Sequence, residues 1–117
     1  MFEVKDIDII EEQGENYAIS LIPNEKNANV NGVVHGGIIF LLADEAIGRY
    51  VTSLGKKGAA SDSNIHFYRP AMVGEKMTAT VLERKIGKKL GVYLVEVKNE
   101  AGKLIADVMI TVVFAEQ

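Results

Sequence analysis

The chain has 117 residues, 48% hydrophobic and 25% charged, which fits one domain able to bury a core and excludes a disordered chain. Thirteen basic and sixteen acidic side chains leave a net charge of −3, which argues against nucleic acid as a partner. The absence of cysteine excludes disulfides, a thiol nucleophile and thiolate metal sites, and two histidines are too few for a histidine metal cluster; a reducing cytoplasm is the expected setting.

The start, Met-Phe-Glu-Val-Lys-Asp, is too acidic and mixed for a signal peptide. No apolar run approaches the ~20 residues of a membrane helix, so no membrane partner is expected. Residues 6–11 and 17–22 are predicted to be short strands around Gly14, the second ended by Pro23. The Asn-rich segment 24–34 is predicted to be a loop. One long helix is predicted from Gly37 to about Ser53. Its apolar side chains cover nearly the whole circumference, the pattern of a helix buried on most sides, and Gly55 supplies a stop.

After the helix the period changes to two, with strands predicted at 59–69, 76–84, 91–98 and 104–114. In the last, Leu104, Ala106, Val108, Ile110, Val112 and Phe114 share an apolar face that should meet the helix, while Asp107 falls on the outer face with Ile105, Met109, Thr111 and Val113. The link from Asn99 to Lys103 has hairpin length and contains Gly102. Two strands, a helix and four strands in meander make an α+β domain. The economical solution is a curved antiparallel sheet wrapped around one long central helix.

Charge is unevenly spread. Residues 1–16 carry six acids and one base, net −5, whereas residues 76–98 carry six bases and two acids, net +4. Arg84, Lys85, Lys88 and Lys89 crowd around one turn. Composition leaves two readings open: a solvated turn whose lysines discourage edge pairing, or a phosphate-binding patch.

Asp44 is the residue that packing does not explain. Glu45 has Arg49 four residues on, the favoured order for an exposed ion pair. Asp44 has Phe40, Leu41, Ile47 and Gly48 as its one-turn neighbours and no charged partner on the helix. A carboxylate in apolar surroundings needs a partner or acquires a raised pKa, which suits a general base. At the helix start, Gly36-Gly37 after His35 would present bare backbone N–H groups at the positive end of the helix dipole, able to hold an anion or a carbonyl oxygen becoming one. For His35 a capping or core role, and for Asn29 and Asn31 a turn role, stay open. Gly36 and Asp44 stand about 12 Å apart along a helix, too far to share one reacting carbon within a chain. If they cooperate, they do so across a two-fold axis, at a dimer interface.

Together, Asn29, Gly32, His35-Gly36-Gly37 and Leu42-Ala43-Asp44 resemble the signature of hotdog-fold acyl-CoA thioesterases, in the branch of the phenylacetate-catabolism and 4-hydroxybenzoyl-CoA thioesterases. Asn64-Ile65, Arg69-Pro70-Ala71, Gly74-Glu75, Lys85 to Leu90 and Gly102 to Ala106 also match, so the resemblance spans roughly residues 5–114. It implies a hotdog fold and hydrolysis of an acyl-CoA, with an aromatic or a short to medium acyl group, to free acid and CoA. Asp44 would activate water or attack the thioester. The Gly36 N–H would polarise the carbonyl, with His35 and Asn29 positioning carbonyl or water. Gly37, Ser61, Tyr68, Arg69 and Pro70 would line the substrate site. Lys85, Gly87, Lys88 and Lys89 would hold coenzyme A, in line with the phosphate-binding reading of the basic turn. No cofactor is implied beyond the CoA of the substrate. A homodimer is implied, pairing into a homotetramer as a dimer of dimers.

Two departures stand out. The Ser or Thr that relatives often carry at the start of the strand after the helix falls on Ala60 here, with Ser61 adjacent. Only about five residues precede the first strand, where many relatives have a helix. There is no P-loop, dinucleotide fingerprint or Gly-x-Ser-x-Gly. Asp62 and His66 share a strand face about 13 Å apart, too far for a catalytic pair. The alternatives are a non-catalytic acyl-CoA-binding hotdog protein and an acyl-CoA hydratase, the latter disfavoured by the lack of a histidine within the helix.

Overall fold

The computed structural model describes residues 8–115. In chain order these form β1 (Ile9–Glu12), β2 (Ala18–Leu21), α1 (Gly36–Ser53), β3 (Gly58–Phe67), β4 (Met77–Ile86), β5 (Leu90–Lys98) and β6 (Leu104–Phe114), with a 3-10 turn at Glu25–Asn27. The strand predicted from residue 6 is found over its later part; Asp6 and Ile7 lie outside the described residues. The helix starts one residue earlier than predicted, and the four later strands lie within three residues of their expected ends.

All strand pairs are antiparallel, in the order β1-β2-β4-β5-β6-β3. The expected four-strand meander is therefore incorrect. Only β4, β5 and β6 form a meander, while β3 pairs with β6 at the far edge of the sheet. The cause is side-chain size. From Gly58 to Asn64, β3 reads Gly-Ala-Ala-Ser-Asp-Ser-Asn, which offers little apolar surface for a central position. Nine of its ten residues are exposed.

The inner face of β6 buries Ala106, Val108, Ile110 and Val112 against α1, and Met109 and Val113 are exposed on the outer face, as the alternation predicts. Ile105 departs from the pattern. It is buried, and its carbonyl accepts the amides of Tyr68 and Arg69 at 2.7 and 3.2 Å. The helix buries Ile38, Ile39, Leu42, Ala43, Ala46 and Ile47. It is not buried on most sides, however: Gly37, Asp44, Gly48 and Thr52 form an exposed stripe along the flank that the sheet leaves open. Apolar residues around a helix show that it is packed; they do not show which flank the chain's own sheet covers.

Candidate active site

The loop before α1 is held by its own side chains. Asn29 Oδ1 accepts the amides of Asn31 and Val33 at 2.9 and 3.1 Å, and the Asn29 N–H donates to the Val33 carbonyl at 2.9 Å. The buried Asn27 accepts the Asn24 amide on its side chain and the His35 amide, at 3.0 Å, on its carbonyl. These bonds deliver His35 to the N-cap with φ −60° and ψ 138°; its side chain is exposed and makes no capping bond. The Gly36 and Gly37 amides, which no helix can satisfy internally, donate to nothing among the described residues. Two bare donors thus stand at the positive end of an 18-residue helix.

The space around them is defined by glycine. A Cβ on Gly36 would lie 2.9 Å from Phe67 Cζ, and one on Gly37 would meet nothing within 4 Å. The Phe67 ring, 52% exposed, therefore leans on the helix start, a contact the sequence did not predict. Gly36 shares a cleft of about 380 Å³ with Ile39, Phe67, Tyr68, Arg69 and Pro70, so the structure brings the predicted Tyr68, Arg69 and Pro70 to Gly36, together with Ile39 and Phe67, whereas Gly37 and Ser61 do not line it. Arg69 is anchored to the Leu104 carbonyl at 3.3 Å, and Tyr68 donates to Asp107 at 3.0 Å. That bond, helped by partial burial and the charge of Asp107, pushes the Tyr68 hydroxyl's pKa up.

Asp44 lies in a second cleft, of about 320 Å³, with Gly48, Thr52, Gly58, Ala59 and Ala60. The expectation of a buried acid is corrected here: within the single chain Asp44 is exposed, because it falls on the open stripe of α1. The expected lack of a partner holds. Asp44 has no hydrogen bond or ion pair among the described residues, whereas Glu45 pairs with Arg49 at 3.1 Å. Partial burial, and then the charge of Glu45, raise its pKa. A Cβ on Gly48 would meet nothing within 4 Å, so the approach one turn on is open. Ala60 lines this cleft, and the neighbouring Ser61 hydroxyl reaches the Thr111 carbonyl at 3.4 Å. Asn29 lies apart from both clefts, in a hollow with Glu25, Val30 and Val73, its side-chain oxygen already engaged by the loop.

A third groove, of about 700 Å³, holds Lys88 and Lys89 together with Lys56, Lys57 and Phe114. Lys56 Nζ stands 4.7 Å from the centre of the Phe114 ring. The sequence reading missed Lys56 and Lys57; the signal was two lysines directly after the helix stop. Lys85 and Gly87 do not line this groove. Lys85 sits beside an irregularity in the β4–β5 register, and Gly87 closes the turn by donating to the Leu90 carbonyl at 2.8 Å.

Residues 31–106 match the family model of the thioesterase superfamily. A relative from Archaeoglobus fulgidus, grouped by name with esterases, is 41% identical over 107 residues, covering 91% of this chain and 69% of its own. The acyl-coenzyme A thioesterase PaaI of Escherichia coli is 35% identical over 100 residues, covering 86% of this chain and 71% of its own. The solved E. coli PaaI structure superposes with a TM-score of 0.84 at 32% identity, over 95% of this chain and 80% of that one. A Streptococcus pneumoniae thioesterase protein solved with coenzyme A shares the fold, with a TM-score of 0.85 at 22% identity over 97% of this chain and 88% of that one.

Proposed function

This chain belongs to the thioesterase superfamily and hydrolyses an acyl-CoA thioester, and we propose that it does so in a cleft shared by two copies. The observation that carries this reading is the placement of the half-sites along β3. Gly36 sits beside Phe67 at one end of the strand, and Asp44 shares its cleft with Gly58, Ala59 and Ala60 at the other. β3 is an edge strand with its outer backbone edge open to pairing. A two-fold axis that runs two β3 strands antiparallel lays the Phe67 end of one against the Gly58 end of the other. The amides of Gly36 and Gly37 then face the partner's Asp44, twice per dimer.

In that cleft the Asp44 carboxylate takes a proton from water as the water oxygen attacks the thioester carbon. The Gly36 N–H donates to the oxygen that gains charge. The carbon–sulfur bond then breaks, and the thiolate of CoA leaves and takes up a proton, giving free acid and thiol. His35, exposed at the mouth, orients the carbonyl. Asn29 acts by holding the loop. The lysine groove is lined by Leu54 to Lys57, the segment between the Thr52 and the Gly58 that line the Asp44 cleft, and it holds the CoA phosphates. No cofactor is required, and the cysteine-free chain suits the cytoplasm. Leu90, Met109 and Val113, exposed on the outer face of β5 and β6, offer a surface for pairing dimers into a tetramer. The acyl group is aromatic or of short to medium length.

The test is subunit mixing. Asp44→Ala and Gly36→Pro proteins are each expected to be inactive in a thiol-release assay with acyl-CoA. Mixed and re-equilibrated, half of the dimers are hybrids with one intact site of two, and about a quarter of wild-type activity returns. Mixing that restores nothing would falsify the shared site.

A further inference from the structure

We infer that Phe114 is the platform on which the adenine of CoA stacks, so that this ring selects a CoA thioester over the same acyl group on a bare pantetheine arm. This rests on the reading of the lysine groove as the CoA phosphate site and places the base that goes with those phosphates. Phe114 is the last residue of β6. Its amide donates to the Lys89 carbonyl at 2.8 Å, and the next amide, of Ala115, donates to the Lys57 carbonyl at 2.8 Å. These two bonds clamp the end of β6 between two lysine pairs, Lys56-Lys57 and Lys88-Lys89, and set the ring among their side chains.

Two glycines on the neighbouring strands seat the ring. A Cβ on Gly91 of β5 would lie 3.0 Å from Phe114 Cζ, and one on Gly58 of β3 would lie 3.3 Å from Phe114 Cδ1. Larger residues there would push the ring aside; with glycine at both places it lies down on the sheet. It stays half-buried and lines the groove of about 700 Å³, a volume in the range of small-molecule sites. Lys56 Nζ stands 4.7 Å from the ring centre. Four ammonium groups converge there, and no carboxylate among the described lining residues offsets them, an arrangement that favours a polyanion. An aromatic face among ammonium groups is the chemistry of a nucleotide site: the base lies on the ring and the phosphates take the lysines. The nucleotide of CoA, with a diphosphate and a 3′-phosphate, carries about four negative charges at neutral pH, one for each lysine.

The reach from Asp44 agrees. Pantetheine has about 13 bonds from sulfur to phosphorus and extends roughly 15 Å, taking ~3.3–3.6 Å for every three bonds of an extended chain. Thr52 stands two turns after Asp44, about 12 Å along α1. Gly55, at φ 77°, then turns the chain back, so that the Lys56 amide donates to the Val51 carbonyl at 3.2 Å. The lysines therefore begin at the last turn of the helix, an arm's length from the carboxylate, and the base falls among them on Phe114.

The chain has no tryptophan, so Phe114→Trp puts a single indole at the platform. Its emission is expected to be quenched by CoA and by adenosine 3′,5′-bisphosphate, and left as it is by pantetheine. Phe114→Leu is expected to raise KM for an acyl-CoA roughly 5- to 50-fold and to leave KM for the same acyl group on pantetheine where it was, while Phe114→Trp, which keeps a ring, restores the low value. CoA that binds the tryptophan variant without quenching it, or a leucine variant whose two KM values rise together, overturns the stacking. If the leucine variant does not fold, the quenching decides alone. ATP binding as tightly as CoA, or equal turnover of the acyl group on an acyl carrier protein, overturns the selection of CoA. Failure of the stacking alone leaves the KM effects of Lys88→Ala and Lys89→Ala in place, whereas failure of the phosphate reading abolishes them.

Discussion

Replacing Gly36 with proline should remove one backbone donor and leave the helix in place. Gly36 is the first residue of α1, and its amide donates to nothing among the described residues. Proline suits that position, because its φ near −65° is helical and the missing N–H has no helical acceptor. Proline also demands an extended residue before it, and His35 already has φ −60° and ψ 138°. The one conflict is the new Cβ, 2.9 Å from the far end of a Phe67 ring that is half exposed and free to swing outward. Gly36→Ala adds the same Cβ and keeps the N–H, so it isolates the steric effect. For both variants a gain of about 0.4–1 kcal/mol from the stiffer unfolded chain offsets the displaced ring, and the melting temperature should move by only a few degrees. Loss of an oxyanion donor costs ~10²–10³ in kcat, about 2.7–4 kcal/mol. Thiol release from acyl-CoA should therefore be ~10²–10³ slower in the proline variant than in the alanine variant. Equal rates in two folded proteins would refute a role for this amide.

Asp44→Asn should lower kcat by ~10²–10⁴, the usual weight of a general base, as read by thiol release. The raised pKa of Asp44 means that the fold favours its protonated form, so its ionised form costs stability at neutral pH. The asparagine variant should accordingly melt at the same temperature as wild type or slightly higher at pH 7. Since the carboxylate is the active form in the proposed mechanism, kcat/KM should fall as pH drops through a midpoint above the ordinary Asp value of about 3.9; a midpoint at or below it contradicts the desolvated base. Lys88→Ala, Lys89→Ala, Lys56→Ala and Lys57→Ala should each raise KM for acyl-CoA up to about tenfold with kcat unchanged, and the effect should shrink at high salt. Asn29→Ala removes the acceptor of two loop amides and should cost about 0.5–1.5 kcal/mol per bond, seen as a lower melting temperature. A fall in kcat at constant melting temperature would instead put the Asn29 side chain on the substrate.

Much of the fold was legible because side-chain period carries it. The helix from residue 36 to 53 was visible in its dense apolar run and the glycine after it. The inner row of β6 was visible in strict alternation, and the Glu45–Arg49 pair in its spacing. Strand order was not legible, because period tells which face of a strand is buried and not which neighbour it finds. The signal for the position of β3 was its poverty in large side chains before Ile65, the composition of an edge. Asp44 could be recognised as unpartnered from its helical neighbours, yet its exposure in the single chain depends on where the sheet stops. The Phe67 contact with Gly36 and the meeting of Lys56 and Lys57 with Lys88 and Lys89 join segments far apart in sequence, and only the fold brings them together.

Among the described residues, three features are unsatisfied along one flank: an acid without a partner, two amides without acceptors and a strand with a free edge. In water each costs little, since solvent takes the place of the missing partner. The proposed pairing of β3 with a second copy would change all three at once. The free edge becomes a ladder, and the same motion strips water from Asp44 and from the amides that oppose it. Desolvation then raises the carboxylate's basicity further and strengthens every donor in the gap. In the proposed dimer the groups that the single chain leaves bare are the ones that do chemistry, so association and catalysis would become one equilibrium. Turnover per chain should fall on dilution through the dimer dissociation constant, and variants that weaken the β3 edge should lose activity in proportion to the dimer they lose.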